Sequence, residues 1–278
     1  MKELKNLSIG IKNIIMLSNK SICAVVLAAG KGTRMHGNLP KVLYKLLDRP
    51  MIHYTADLLT KLKLPSHYVL GYEREKVKKS LSKYPRVKFV YQKEQHGTGH
   101  AVKVALKKID QNKYHSLLVL HGDSSTFFKT KTIENLIKHH LKEQATVSVL
   151  TIFKEKSEGS GVILFDKQGK ALKDIETKNK EYYFCMVNVG VFIYDINWLK
   201  TAMDKLMTMS HNDGEYYLTD LIEIASQENR KIITVPLKDP MEKIHINTKE
   251  QLKMANELAI RYFKKISNVN KTINAIRK

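Results

Sequence analysis

Cysteine is nearly absent: Cys23 and Cys185 are the only two in 278 residues. One pair cannot build a disulfide framework, which points to a reducing compartment and a cytoplasmic location. No apolar run approaches the ~18 residues that a membrane-spanning helix needs, so no membrane partner is expected. Residues 1–20 lack a compact apolar stretch and a small-residue cleavage site. They read as an amphipathic or frayed arm rather than a secretory leader. Internal repeats and low-complexity linkers are missing as well, so the pattern predicts one α/β domain over 21–265 followed by a basic tail over 266–278.

Acidic residues are scarce relative to their opposites: 27 Asp and Glu stand against 48 Lys and Arg, a net charge of +21. That excess favours polyanionic partners, among them nucleic acid, anionic membrane and phosphorylated small molecules. Residues 61–113 hold fourteen basic side chains against four acidic, and beyond Glu257 there are six basic and no acidic ones. Neither stretch interleaves aromatics with its lysines or carries a zinc spacing, so no nucleic acid is expected and the charge reads as solvated surface. A 43% hydrophobic and 27% charged composition excludes a disordered chain.

What is present is an alternation of short apolar runs with helical patterns. Ile22 to Leu27 is almost unbroken apolar sequence, as in a parallel strand buried on both faces. The spacing predicts a helix over 51–63, strands over 67–70 and 87–91, and a helix through Ala101, Val102, Ala105, Leu106 and Ile109. A buried strand over 116–120 ends in His121-Gly122-Asp123. The second half is less regular: strands over 146–153, 184–194 and 232–235, a hairpin of 161–165 with 171–175, and helices over 215–229 and 248–265. Such alternation predicts βαβ units in a mixed α/β fold.

Between the first strand and helix lies Leu27-Ala28-Ala29-Gly30-Lys31-Gly32-Thr33-Arg34-Met35, continuing to Pro40-Lys41-Val42-Leu43. Open α/β sheets bind ligands at this position, where glycines let backbone N–H groups approach phosphate oxygens. Arg34 and Lys41 add charges that grip phosphate without a covalent intermediate. The spacing matches neither G-x-x-x-x-G-K-[ST] nor G-x-G-x-x-G, which excludes a P-loop NTPase and a dinucleotide dehydrogenase.

This segment resembles the signature of the sugar-1-phosphate nucleotidyltransferases, and within them the uridyltransferase domain of the bacterial bifunctional enzyme that makes UDP-N-acetylglucosamine. The resemblance continues through Gln92 to Ala101, His121-Gly122-Asp123, Glu176, Asn188 in Val-Asn-Val-Gly, Gly214 to Asp220, and Asn247 in His-Ile-Asn-Thr. It implies a Rossmann-like, mainly parallel sheet flanked by helices, with a smaller antiparallel sugar-binding portion. It further implies Mg²⁺-dependent joining of UTP and N-acetylglucosamine 1-phosphate for cell-envelope synthesis. Arg34 and Lys41 would be catalytic. Leu27, Ala28, Ala29, Gly30, Gln92, Gly97, Thr98 and Gly122 would bind nucleotide; Gly161, Glu176 and Asn188 would bind sugar; Asp123 and Asn247 would hold Mg²⁺.

Several positions carry second readings. Asp123 could cap a turn, Asn247 before Thr248-Lys249-Glu250 suits a helix N-cap, and Gln95 could share the role of Gln92. Gly214 to Asp220 reads as architecture, with Tyr216 and Tyr217 packing the domain, and His100 as a packed histidine. His121 stands where the family has an aromatic residue, and Ser160-Gly161-Val162 replaces Tyr-Gly-Arg. The hexapeptide β-helix of the bifunctional enzymes is not in this sequence, so no acetyltransferase activity is expected and the oligomeric state stays open. Another sugar 1-phosphate or NTP, or a non-catalytic nucleotide-sugar-binding protein, are the alternative functions.

Overall fold

Ile22–Ala28 (β1) is buried along its whole length, and its side chains alternate between two separate cores. In the computed structural model, which describes residues 21–123, 127–175, 180–209, 211, 213–244 and 246–276, this strand lies inside a large sheet. Its other members are Ser66–Leu70 (β4), Val87–Tyr91 (β5), Ser116–His121 (β6), Val147–Lys156 (β7), Tyr183–Asp195 (β10) and Ile232–Pro236 (β11). The order is β11-β7-β10-β6-β1-β4-β5. Only β10 runs antiparallel to its neighbours on this path. Val162–Phe165 (β8) and Ala171–Ile175 (β9) form the expected hairpin, which extends from β10. A two-stranded ribbon pairs Lys45–Leu46 (β2) with Arg49–Pro50 (β3).

Helices cover both faces, as a mainly parallel sheet requires. Ile22, Ala24, Val26 and Ala28 pack toward Met51–Lys61 (α1), Arg74–Leu81 (α2) and Thr130–Lys142 (α4). Cys23, Val25, Leu27 and Ala29 pack toward Gly97–Leu106 (α3), Ile196–Leu206 (α5) and Asp220–Gln227 (α6). Each fully buried aliphatic side chain in these layers contributes ~1.5–3 kcal/mol. A third cluster of Leu46, Met51, Ile244, Ile246 and Ala255 docks Lys249–Ile276 (α7) beside the β2–β3 ribbon.

Three expectations change. The helix expected over 215–229 begins at Asp220; residues 215–217 form a loop and 218–219 a turn. The last helix continues to Ile276, through the segment expected to be a tail. Helices α2, α4 and α5 were not anticipated. Residues 1–20 and Glu176 lie outside the described residues. No described helix is long and apolar enough to cross a membrane.

Candidate active site

Parallel strands β1 and β6 pair up to Leu27 opposite His121, so the chain leaves both at the same edge of the sheet. A cleft of about 270 Å³ opens there, lined by Leu27, Ala28, Ala29, Gly30, Arg34 and Lys41 on one side, and by Gln92, Gly97, Thr98, His121, Asp123 and Glu215 around it. Most residues expected to handle nucleotide therefore share one wall-to-wall space.

The loop after β1 is anchored by Met35, whose side chain is fully buried while Arg34 beside it is exposed. Gly32 sits at φ +70°, and a Cβ there would lie 2.5 Å from Lys41 Cβ. Only glycine allows both this left-handed turn and the close approach of Lys41. Gly30 has open space around its missing Cβ, leaving the loop backbone accessible. Lys41 opens a 3₁₀ turn, Lys41–Leu43, directly after Pro40. Buried Val42 and Leu43 pin the turn from below, so the stem of Lys41 starts from a rigid base.

Lys41 Nζ lies 2.5 Å from Asp123 Oδ2 and 2.5 Å from Asn247 Oδ1. One cationic atom thus touches two hard oxygens that are far apart in sequence. Burial pushes the Asp123 carboxyl upward, but Lys41, His121 and Lys243 outweigh it and hold Asp123 well below the usual carboxylate range. Burial lowers His121, with Lys243 and Lys41 acting in the same direction and Asp123 opposing.

Two oxygens converging on one cation-sized position suit a hard divalent ion that keeps several waters and needs few protein ligands. No group of three or more His, Cys, Asp or Glu able to hold a metal occurs among the described residues. Any cation here therefore depends on Asp123 and Asn247 plus water or substrate oxygens. Asn247 also serves as part of a turn: its N–H donates to Gln251 Oε1 at 2.7 Å. Its side chain faces Lys41 rather than capping α7.

On the opposite wall the Gln92 side-chain amide donates to Gly97 O and to His100 Nδ1, both at 3.1 Å. His100 thus orients Gln92, a role that a merely packed histidine would lack. Gly97, at φ +85°, starts α3 with Tyr216 O only 2.7 Å from where its Cβ would be. Tyr216 N–H donates to His96 O, Gly99 N–H donates to Tyr216 O, and Leu218 N–H donates to Thr98 Oγ1. The segment read as architecture therefore clamps the start of α3, and through Glu215 it also lines the cleft. Gln95 lines it too, beside Gln92.

Gly122 has a structural part as well. Its N–H is taken by Leu27 O at 2.9 Å, and a Cβ would press within 2.6 Å of Ile52. It packs the strand ends and turns Asp123 into place. Gly161 and Asn188 come together, with Asn188 N–H donating to Gly161 O at 3.0 Å, outside the cleft that holds Lys41. Asn188 Nδ2 donates to Asp174 Oδ2 at 2.7 Å, and Asn188 Oδ1 accepts from Gly190 N–H. A Cβ on Gly161 would fall 2.2 Å from Asn188 Nδ2 and 2.5 Å from Asp174 Oδ1. Asp174 and Lys243 belong to no motif in the sequence; among 48 basic residues nothing marks Lys243 out.

A family model described as nucleotidyl transferase matches residues 23–258. The chain belongs to the nucleotidyl transferase family. It is 34% identical over 241 residues to the bifunctional protein GlmU of Desulfitobacterium hafniense (strain DSM 10664 / DCB-2), covering 85% of this chain and 51% of that protein. Bifunctional protein GlmU of Exiguobacterium sibiricum is 36% identical over 84% of the chain and 51% of its own length. For Clostridioides difficile (strain 630) the figures are 33%, 89% and 53%. This nucleotidyl transferase thus spans about half the length of the curated relatives it matches. The fold expectation holds: a mixed α/β architecture with a large, mainly parallel sheet flanked by helices and a small antiparallel sheet.

Proposed function

We propose that the chain joins UTP and N-acetylglucosamine 1-phosphate, giving UDP-N-acetylglucosamine and pyrophosphate for cell-envelope synthesis. The observation that carries this reading is the cleft in which Lys41, linking Asp123 to Asn247, shares one space with the Gly30–Arg34 loop and the Gln92–Thr98 wall. The attacking group is already an anionic phosphate oxygen, so no side-chain base is needed. A bond forms from that oxygen to the α-phosphorus of UTP, and the bond to the bridging oxygen of the departing pyrophosphate breaks. Catalysis is then positioning and charge stabilisation.

Arg34 and the loop amides hold the triphosphate and the departing pyrophosphate, while Lys41 neutralises charge at the reacting centre. Asp123 and Asn247 would hold Mg²⁺, which would supply charge neutralisation to the substrate phosphates. Gln92, with its amide hydrogens directed at Gly97 and His100, presents its oxygen as an acceptor. Uracil offers N3–H to such an acceptor and cytosine does not, which supports UTP over CTP. Gly161 and Asn188 hold the sugar, with Glu176 as the third expected contact.

A panel of four NTPs against several sugar 1-phosphates, read by pyrophosphate release with and without Mg²⁺, tests the proposal. UTP with N-acetylglucosamine 1-phosphate is expected to give the highest kcat/KM. An equal or better rate with another pair overturns the specific substrates, and no turnover with any pair overturns catalysis.

A further inference from the structure

Apart from the nucleotide cleft, a second cavity of about 570 Å³ is lined by Lys154, Glu158, Ser160, Val187, Lys243 and Gln251, together with residues of the 240–244 segment and α7. It shares no lining residue with the nucleotide cleft. The two spaces meet electrostatically at one cluster. Lys243 acts on Asp123 and on His121, both of which line the nucleotide cleft, while its own side chain lines the second cavity. Gln251, in the second cavity, accepts the N–H of Asn247, whose side chain touches Lys41.

Lys243 is held in place rather than waving in solvent. Its ammonium donates to Val189 O on β10 at 3.1 Å, beside the irregularity between Asn188 and Phe192. Glu242 next to it is buried and accepts the N–H of Lys129, which fixes the 3₁₀ turn that carries Lys243. Burial lowers the Lys243 ammonium to about 8; Asp123 opposes this, while Lys41 and Lys154 push it further down. Around the junction, three ammonium groups face the carboxylates of Asp123 and of Glu158, which pairs with Lys154 at 2.5 Å. The local surplus is one positive charge, which favours an anionic ligand such as a phosphate.

In-line displacement puts the attacking phosphate opposite the leaving pyrophosphate, across the α-phosphorus. With the pyrophosphate at the Gly30–Arg34 loop, the attacking phosphate needs a cation apart from that loop, and Lys243 lines a cavity that shares no residue with it. We propose that Lys243 binds the phosphate of the incoming sugar 1-phosphate and aims its oxygen at the nucleotide. This assignment rests on the reaction proposed above. Lys41 then serves the nucleotide side of the reacting centre and Lys243 the acceptor side.

The test compares wild type with Lys243→Gln, which keeps a donor for Val189 O but loses the charge, with Lys243→Met, and with Lys243→Arg. Steady-state kinetics at saturating Mg²⁺ and calorimetric binding are measured for UTP and for N-acetylglucosamine 1-phosphate, with glucose 1-phosphate as a second probe of the shared phosphate. Losing a charge-assisted phosphate contact is expected to raise KM and Kd for sugar 1-phosphates ~10-fold or more in the neutral variants, leaving UTP within ~2-fold. Lys243→Arg is expected to recover most of the loss. Unchanged sugar-phosphate constants in a folded neutral variant, or equal weakening of UTP and sugar phosphate, overturns the proposal while leaving the overall reaction standing. A wild type that neither binds nor turns over any sugar 1-phosphate overturns both.

Discussion

Lys41 and Asp123 form a reciprocal pair, and truncating each side of it should read out differently. Asp123→Ala removes the charged member of the expected cation site. Mg²⁺-dependent turnover should disappear while the circular dichroism spectrum and Tm stay close to wild type; retained turnover would show that this carboxylate holds no catalytic cation. Lys41→Ala leaves Asp123 and Asn247 in place but removes a cation from the reacting centre. Losing one such group costs ~10²–10³ in kcat, and a near-normal rate would put Lys41 among the surface lysines. At this scale the loop motif and Lys41 stood out by residue types that suit phosphate, and Asp123 and Asn247 through the family resemblance; the structure brings Lys41, Asp123 and Asn247 into contact. Asp174 and Lys243 were not, since a lone carboxylate or lysine acquires meaning only from the neighbours that folding supplies.

Among elements, the segment joining α5 to α6 shows how tertiary bonds override local pattern. Apolar spacing over 215–229 suits a helix, yet the N–H of Leu218 goes to Thr98, and Tyr216 bonds at both its N–H and its carbonyl to the start of α3. Backbone committed to the start of α3 cannot also make helical bonds, so the helix waits until Asp220. Gly97→Ala tests the clamp: strain at φ +85° and contact with Tyr216 should cost ~1–3 kcal/mol of stability. KM for UTP should rise with it, and a variant with wild-type Tm and KM would show that the two segments are not tightly joined. Helix α2 escaped notice for a different reason. Val77 and Leu81 are its only buried residues, set among lysines, and two positions make no readable period.

For the molecule as a whole, two histidines inside the sheet layers set how stability responds to acid. Burial lowers His67 and His140 from 6.5 to about 4; Lys88 adds to this at His67, whereas Asp195 opposes it at His140. Neither ring nitrogen of His67 has a hydrogen-bond partner among the described residues. His140 lies between Ser148 Oγ at 2.7 Å and Ser116 Oγ at 3.3 Å. The unfolded chain takes up these protons near pH 6.5 and the folded one only near pH 4. Their stabilising share is therefore complete above pH 6.5 and is lost as pH falls between those values, ~3 kcal/mol for each. Urea unfolding at pH 7.5, 6, 5 and 4 should show that decline, and His67→Leu should flatten about half of it. An unchanged slope in His67→Leu would mean that the folded protein protonates this ring with little penalty.

The sequence by itself determined the class of chemistry and the succession along the chain of the strands that frame it. Buried parallel strands need continuous apolar runs, and phosphate needs glycine, arginine and lysine on a loop after the first of them. Both signals are local and survive in one dimension. Tertiary structure alone decided which groups face one another: Lys41 between Asp123 and Asn247, Asp174 against Asn188, Tyr216 across α3, and Lys243 at the junction of two cavities. Those contacts join residues far apart in the chain, and their energies depend on distance and burial, quantities that exist only after the sheet has assembled.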